Sequence, residues 1–134
     1  MQARATLISA AIAGFSGVAL GAFGAHGLKT VLSAKMLTAW QTAVQYHLVH
    51  GAVLLALAIA LMALPKSDIK IWLQRSSTMM LAGLLLFSGS LYLLALTDIR
   101  SLGMITPIGG LSWLIAWGLI AVAAFKMPVS HNEH

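Results

Sequence analysis

Residues 40–64, WQTAVQYHLVHGAVLLALAIALMAL, decide the fold. From Ala52 to Leu64 the stretch carries no polar atom outside its backbone and the Met62 sulfur. A helix that is apolar all round must be buried or lie in lipid, and this one reads as half of a membrane-spanning helix. Its first half is polar in an ordered way. At about 3.6 residues per turn, Tyr46, His47 and His50 fall within an arc of about 100°, while Gln41 and Gln45 point the other way. Trp40 stands where an interfacial aromatic belongs, and Pro65 ends the helix, because the residue before a proline is pushed out of the α region.

The rest of the chain repeats the pattern without the polarity. Hydrophobic residues make up 60% of the 134, charged residues 8%, and the mean hydropathy is +0.92, far from the soluble mixture of about 45–50% apolar and 25% charged. This composition specifies an all-α integral membrane protein, an antiparallel four-helix transmembrane bundle in one domain, with spans at about 5–25, 41–64, 77–96 and 104–125. Ala5 to Ala25 is too long for a signal-peptide apolar core of about 7–15 residues. Along it Ala10, Gly14, Gly17, Gly21 and Gly24 recur at alternating spacings of four and three, a small-residue stripe that lets another helix approach closely. Between the first two spans Leu28, Leu32 and Met36 recur at i+4, which predicts a short amphipathic segment at the interface, with Ser33 as the N-cap of the helix that follows. Thr106 and Pro107 read as N-cap and first residue of the last span.

Charge and composition exclude several functions. The net charge of +5 is spread over connectors, where basic residues set topology and touch headgroups, so nucleic acid is not an expected partner. Arg4, Lys66, Lys70, Arg75 and Lys126 fall on the side of the termini, against Lys29, Lys35 and Arg100 on the other, which favours cytoplasmic termini. Cysteine is absent, removing disulfides, thiolate ligands and a thiol nucleophile.

Four antiparallel spans bring His26, residues 41–50, Ser88, Tyr92 and Thr106 into one leaflet and leave the opposite leaflet almost purely aliphatic. A polar group that deep has to find a partner or face water. The candidate polar cluster is therefore His26, Tyr46, His50, Ser88, Tyr92 and Thr106, and the candidate packing glycines are Gly14, Gly17, Gly21, Gly24, Gly89, Gly109 and Gly110. No carboxylate lies within a span, so neither a metal site nor a serine-histidine-acid relay is expected, and no cofactor is implied.

The blocks GAFGAHGL (21–28), WQTAVQYHLVHG (40–51), FSGSLYLLALT (87–97) and TPIGGLSWLIAW (106–117) resemble, in order and spacing, the domain of unknown function 423 family, the YgdD-like small bacterial membrane proteins. The resemblance covers nearly the whole chain. It implies four spanning helices in a bacterial inner membrane, no established activity, and importance for Gly24, His26, Tyr46, His50, Ser88, Gly89, Tyr92, Thr106, Pro107 and Gly110; His47 lies outside that pattern. The expected role is a non-enzymatic partner or accessory subunit, with the bilayer and a second copy or another membrane protein as partners. The alternative is a small channel or transporter for protons or small solutes.

Overall fold

The computed structural model describes residues 1–130. Four helical spans are long and apolar enough to cross a membrane. The first is α1, Ala3–His26, and the second is α2, Ala34–Ala63, capped by Ser33, whose Oγ accepts from the Met36 amide at 3.2 Å. At 30 residues, α2 is about 45 Å long, more than the hydrocarbon core needs. It stops before Pro65, with Leu64 extended (φ −85°, ψ 137°).

The third span starts earlier than the apolar run suggests. It is built from α3, Asp68–Gly83, a π-helical turn at Leu84–Ser88, and α4, Gly89–Thr97. Ser67 explains the early start: its Oγ accepts from the Lys70 amide at 3.3 Å, and Asp68 in the first turn sits favourably at the positive end of the helix dipole. Lys70 Nζ reaches back to the Leu64 carbonyl at 3.0 Å and so satisfies one of the acceptors left open where α2 ends. Asp98 closes α4 in the left-handed region (φ 56°), which a short polar side chain tolerates. A 3₁₀ turn, Arg100–Met104, leads into α5, Thr106–Phe125.

Residues 27–33 form a succession of turns, not a helix. Leu28, Leu32 and Met36, whose i+4 spacing suggested an interfacial segment, fold inward on Trp40, Ala95 and Tyr92 and close one end of the bundle. Apolar side chains at this spacing bury equally well against protein or lipid, and here protein is nearer.

α2 is central, with α1 on one side and the third span on the other, and α5 packs along the third span. Small residues set the α1–α2 approach. A Cβ at Gly17 would lie 2.7 Å from the Leu48 side chain, at Gly21 3.1 Å from Val44, at Gly24 2.4 Å from the Trp40 indole, and at Gly51 3.3 Å from Ala13. The stripe on α1 is thus an internal packing face, matched by Gly51 on α2. Gly14 and Gly89 belong elsewhere: a Cβ at either would meet nothing within 4 Å.

Candidate functional site

The interior polar and aromatic side chains gather mainly around α2, which supplies His47 to a hydrogen-bonded chain and Tyr46 and His50 to an aromatic cleft. His47 is 3% exposed. Its Nε2 lies 3.1 Å from Ser16 Oγ on α1 and its Nδ1 lies 2.8 Å from the Tyr92 hydroxyl on α4. The proton count orders this chain. Ser16 donates its hydroxyl proton to the Ile12 carbonyl at 2.7 Å, so Ser16 Oγ accepts from His47 Nε2–H, and Nδ1 accepts from Tyr92. Every proton in the series is used. With Ser9 the three side chains form the polar part of a lateral groove of about 420 Å³ between α1 and the third span, otherwise lined by residues such as Ile12, Leu20, Leu81 and Leu85.

The groove exists because α1 and α3 meet only near one end, where Gln74 Nε2 donates to Gln2 Oε1 at 2.9 Å and Thr6 Oγ1 to Ser77 Oγ at 3.4 Å. Beside them the Met1 amino group donates to the Gln74 carbonyl at 2.6 Å, and partial burial holds its pKa below the usual α-amino value. Thr6, Ser76 and Ser77 are fully buried. The expectation of an aliphatic leaflet at this end is therefore corrected: hydroxyls there are hidden among apolar neighbours, and each spends its proton on a carbonyl or hydroxyl.

Single side-chain bonds to the backbone of a neighbouring span set register. Ser76 Oγ donates to the Ala116 carbonyl at 2.8 Å, Ser88 Oγ to Ala43 at 2.9 Å, Ser112 Oγ to Met79 at 2.8 Å, Trp40 Nε1 to Leu20 at 3.0 Å and Trp113 Nε1 to Met80 at 3.0 Å. Thr106 does not act as an N-cap. The cap position is Ile105, and the Thr106 hydroxyl pairs with Ser90 Oγ across the helix pair at 2.6 Å. Gly109 lies directly on the π turn, where a Cβ would stand 2.3 Å from the Phe87 amide nitrogen.

The aromatic arrangement lies between α2 and α5. The His50 ring is stacked on Trp113, centroids 3.7 Å apart and planes 8° from parallel. Tyr46 stacks on Trp113 at 5.8 Å and leans on Phe87 at 4.9 Å, while Trp117 stands edge-on to His50 at 6.3 Å. With Pro107, Gly110, Leu111 and Leu114 these residues line a cleft of about 640 Å³.

The anticipated cluster is thus divided. Tyr92 joins His47, Ser88 ties α2 to the π turn, Thr106 ties α4 to α5, and Tyr46 and His50 belong to the aromatic cleft. His26 is exposed at the end of α1. Tyr46 is 42% exposed and enters by its ring. His47 and His50 share an arc of α2 yet face different neighbours, so they converge on no common ion. Among the described residues no three His, Cys, Asp or Glu side chains gather as a metal site would require. Ser16 and His47 were missed as partners. The row Gln2, Thr6, Ser9, Ser16, broken only by Ala13 at the same four-three spacing, was the signal that α1 has a polar edge.

Residues 20–110 match the sequence profile of a family described as "Protein of unknown function (DUF423)". The chain is 43% identical over 135 aligned residues to the UPF0382 inner membrane protein YgdD of Escherichia coli (strain K12), covering 98% of this chain and 100% of the relative. It is 45% identical over 120 residues to the UPF0382 membrane protein YwdK of Bacillus subtilis (strain 168), covering 90% and 95%, and 40% identical over 121 residues to the UPF0382 membrane protein SSP2132 of Staphylococcus saprophyticus, covering 90% and 97%. No solved structure matches the chain. With four spanning helices and relatives matched nearly end to end, this is a multi-pass integral membrane protein, and it belongs to the DUF423 family.

Proposed function

We propose that the protein is a non-enzymatic subunit of the bacterial inner membrane that works by associating with another membrane protein or with its own copies. One observation carries this reading. Among the described residues every buried side-chain nitrogen or oxygen has a hydrogen-bond partner inside the chain, so the deep polarity is spent on holding helices together. The acids of the described residues, Asp68 and Asp98, stand at the start of α3 and just beyond α4, so no interior histidine has a carboxylate beside it to complete a relay. Gly14 and Gly118 leave uncovered notches on outward faces, where a neighbouring helix can approach closely. A photo-reactive residue at position 14 or 118 should give a discrete cross-linked species in native membranes. Finding only uncross-linked monomer at both positions would remove the support. The orientation proposed here places the termini in the cytoplasm; labelling of single cysteines at Lys66 and Thr30, in a chain with no cysteine of its own, tests it.

A second reading gains from the buried hydroxyls near the Gln2–Gln74 contact. Gln2, Thr6 and Ser9 continue the polar edge of α1 toward Ser16, His47 and Tyr92, so a proton or small-solute path along the α1 groove is polar in both halves. It predicts pH-dependent flux in liposomes that disappears on His47→Leu. Flux no greater than that of empty vesicles sinks it.

A further inference from the structure

We propose that the cleft between α2 and α5 is a binding site for a lipid-soluble phenol or quinol, its ring hydroxyl bridging His50 Nε2 and Trp117 Nε1. The inference does not rest on the subunit reading. His50 Nδ1 lies 2.9 Å from the Tyr46 carbonyl, and a carbonyl only accepts, so the proton of the neutral ring is on Nδ1 and Nε2 presents a lone pair. The donor facing that lone pair is Trp117 Nε1–H at 3.5 Å, beyond the usual range of about 2.7–3.2 Å. His50 is 5% exposed and stands about 24 Å along α2 from Ala34, near the middle of that helix. An acceptor so poorly served at that depth favours a ligand able to donate.

The same geometry selects the ligand. A carbonyl oxygen accepts from Trp117 but repels the Nε2 lone pair, and an acyl chain serves neither. A hydroxyl serves both. Bridging at about 2.9 Å to each nitrogen with a tetrahedral angle needs the nitrogens about 4.7 Å apart, roughly 1.2 Å more than at present. Trp117 can supply that movement, being 46% exposed and on the outer side of the cleft. The walls favour an aromatic ring: Tyr46, Phe87, Trp113 and Trp117 line the cleft, and ring pairs contribute about 0.5–1.5 kcal/mol beyond their area. Gly110 leaves the floor open, since a Cβ there would only just touch the Phe87 ring at 3.8 Å. Ile108, Leu111 and Leu114 are exposed along the same helix, so an apolar tail leaves the cleft directly into lipid.

The test uses the full chain in lipid nanodiscs with nitrogen-15 histidine, titrated with para-nonylphenol and with its O-methyl ether, which keeps the ring and tail and lacks the donor. The His50 resonances are assigned by their loss in His50→Phe. The phenol should move the Nε2 signal of His50 toward a hydrogen-bonded value while the ether leaves it in place. The phenol should also bind about tenfold more tightly, the worth of one well-made hydrogen bond, and this preference should collapse to parity in His50→Phe. Trp117→Phe, on the exposed edge, should weaken binding of both compounds, since either oxygen can accept from the indole, while leaving the preference and the fold in place. An unmoved Nε2 signal, equal binding of the two compounds, or a preference that survives His50→Phe overturns the proposal, and if His50→Phe fails to fold the relative binding of phenol and ether to the unaltered chain still decides.

Discussion

Gly109→Ala tests the contact between α5 and the backbone of the π turn. A methyl group there would stand 2.3 Å from the Phe87 amide nitrogen and 2.8 Å from Leu86 C and Phe87 Cα. These atoms are backbone of the π turn, so no rotamer change relieves the overlap, and α5 has to withdraw by about 1 Å to regain van der Waals contact. Overpacking of this kind costs about 1–3 kcal/mol. Withdrawal also stretches Thr106–Ser90, Ser112–Met79 and Trp113–Met80, at 2.6, 2.8 and 3.0 Å, each worth about 0.6 kcal/mol in a membrane bundle. Against this, alanine gains up to about 1 kcal/mol over glycine in helix propensity. The net expectation is a loss of about 1–3 kcal/mol. Gly118→Ala on the same helix is the reference: nothing lies within 4 Å of its added methyl, so only the propensity gain remains. Equilibrium unfolding in mixed dodecyl sulfate and mild detergent micelles, followed by far-ultraviolet circular dichroism, should separate the two variants by at least about 2 kcal/mol. Equal stability within about 0.5 kcal/mol would refute the claim that α5 rests on the π turn through this glycine.

Tyr92→Phe leaves the Nδ1 lone pair of a buried histidine without a donor and should cost about 1–3 kcal/mol, more than the average bundle hydrogen bond; a double-mutant cycle with His47→Phe should show coupling of at least about 1 kcal/mol. Thr6→Val keeps the shape and removes the bonds to Gln2 and Ser77, at 2.9 and 3.4 Å, so the same unfolding assay should register no more than about 1 kcal/mol. Gly24→Ala drives a methyl into the Trp40 indole, 2.4 Å away, breaking its bond to Leu20. Lower stability and altered tryptophan emission are expected, and an unchanged spectrum would show that the indole was never held there.

Apolar length and punctuation made the spans legible: Ser33 caps α2, Pro65 ends it, and Gly17, Gly21 and Gly24 meet α2 as a small-residue stripe should. Charge misplaced the start of the third span. Asp68, Lys70 and Arg75 looked like connector, yet Ser67 is a cap and Asp68 suits a first turn, so the helix extends past the apolar run into its charged flank. The π turn left no mark that local pattern could supply, since Leu84–Ser88 reads as any apolar helix and the extra residue is tolerated because Ser88 and Gly109 fit around it. Thr106 and the 28–36 segment erred alike: a residue fit for a local role was claimed by a neighbouring helix. The cluster was legible only as residue types. Partner choice depends on which way α2 is rotated, and about 60° between His47 and His50 around the helix is enough to send one to α1 and α4 and the other to α5.

That rotation explains how one short polar stretch serves three neighbours without leaving a reactive group. Lipid cannot hydrogen-bond, so every deep donor must find an acceptor, and the acceptors always at hand are backbone carbonyls already engaged in helices. Ser76, Ser88, Ser112, Trp40 and Trp113 all take that solution. A second bond to an engaged carbonyl adds little energy, but its range is short, so it sets the sliding register of two helices that dispersion forces alone would leave loose. His47 is handled as strictly, its two nitrogens matched to one donor and one acceptor. His50 breaks the pattern, because its second nitrogen points at a partially exposed indole half an ångström too far away. In a membrane interior where the other buried polar atoms are closely matched, that mismatch is the place where this chain has room for something other than itself.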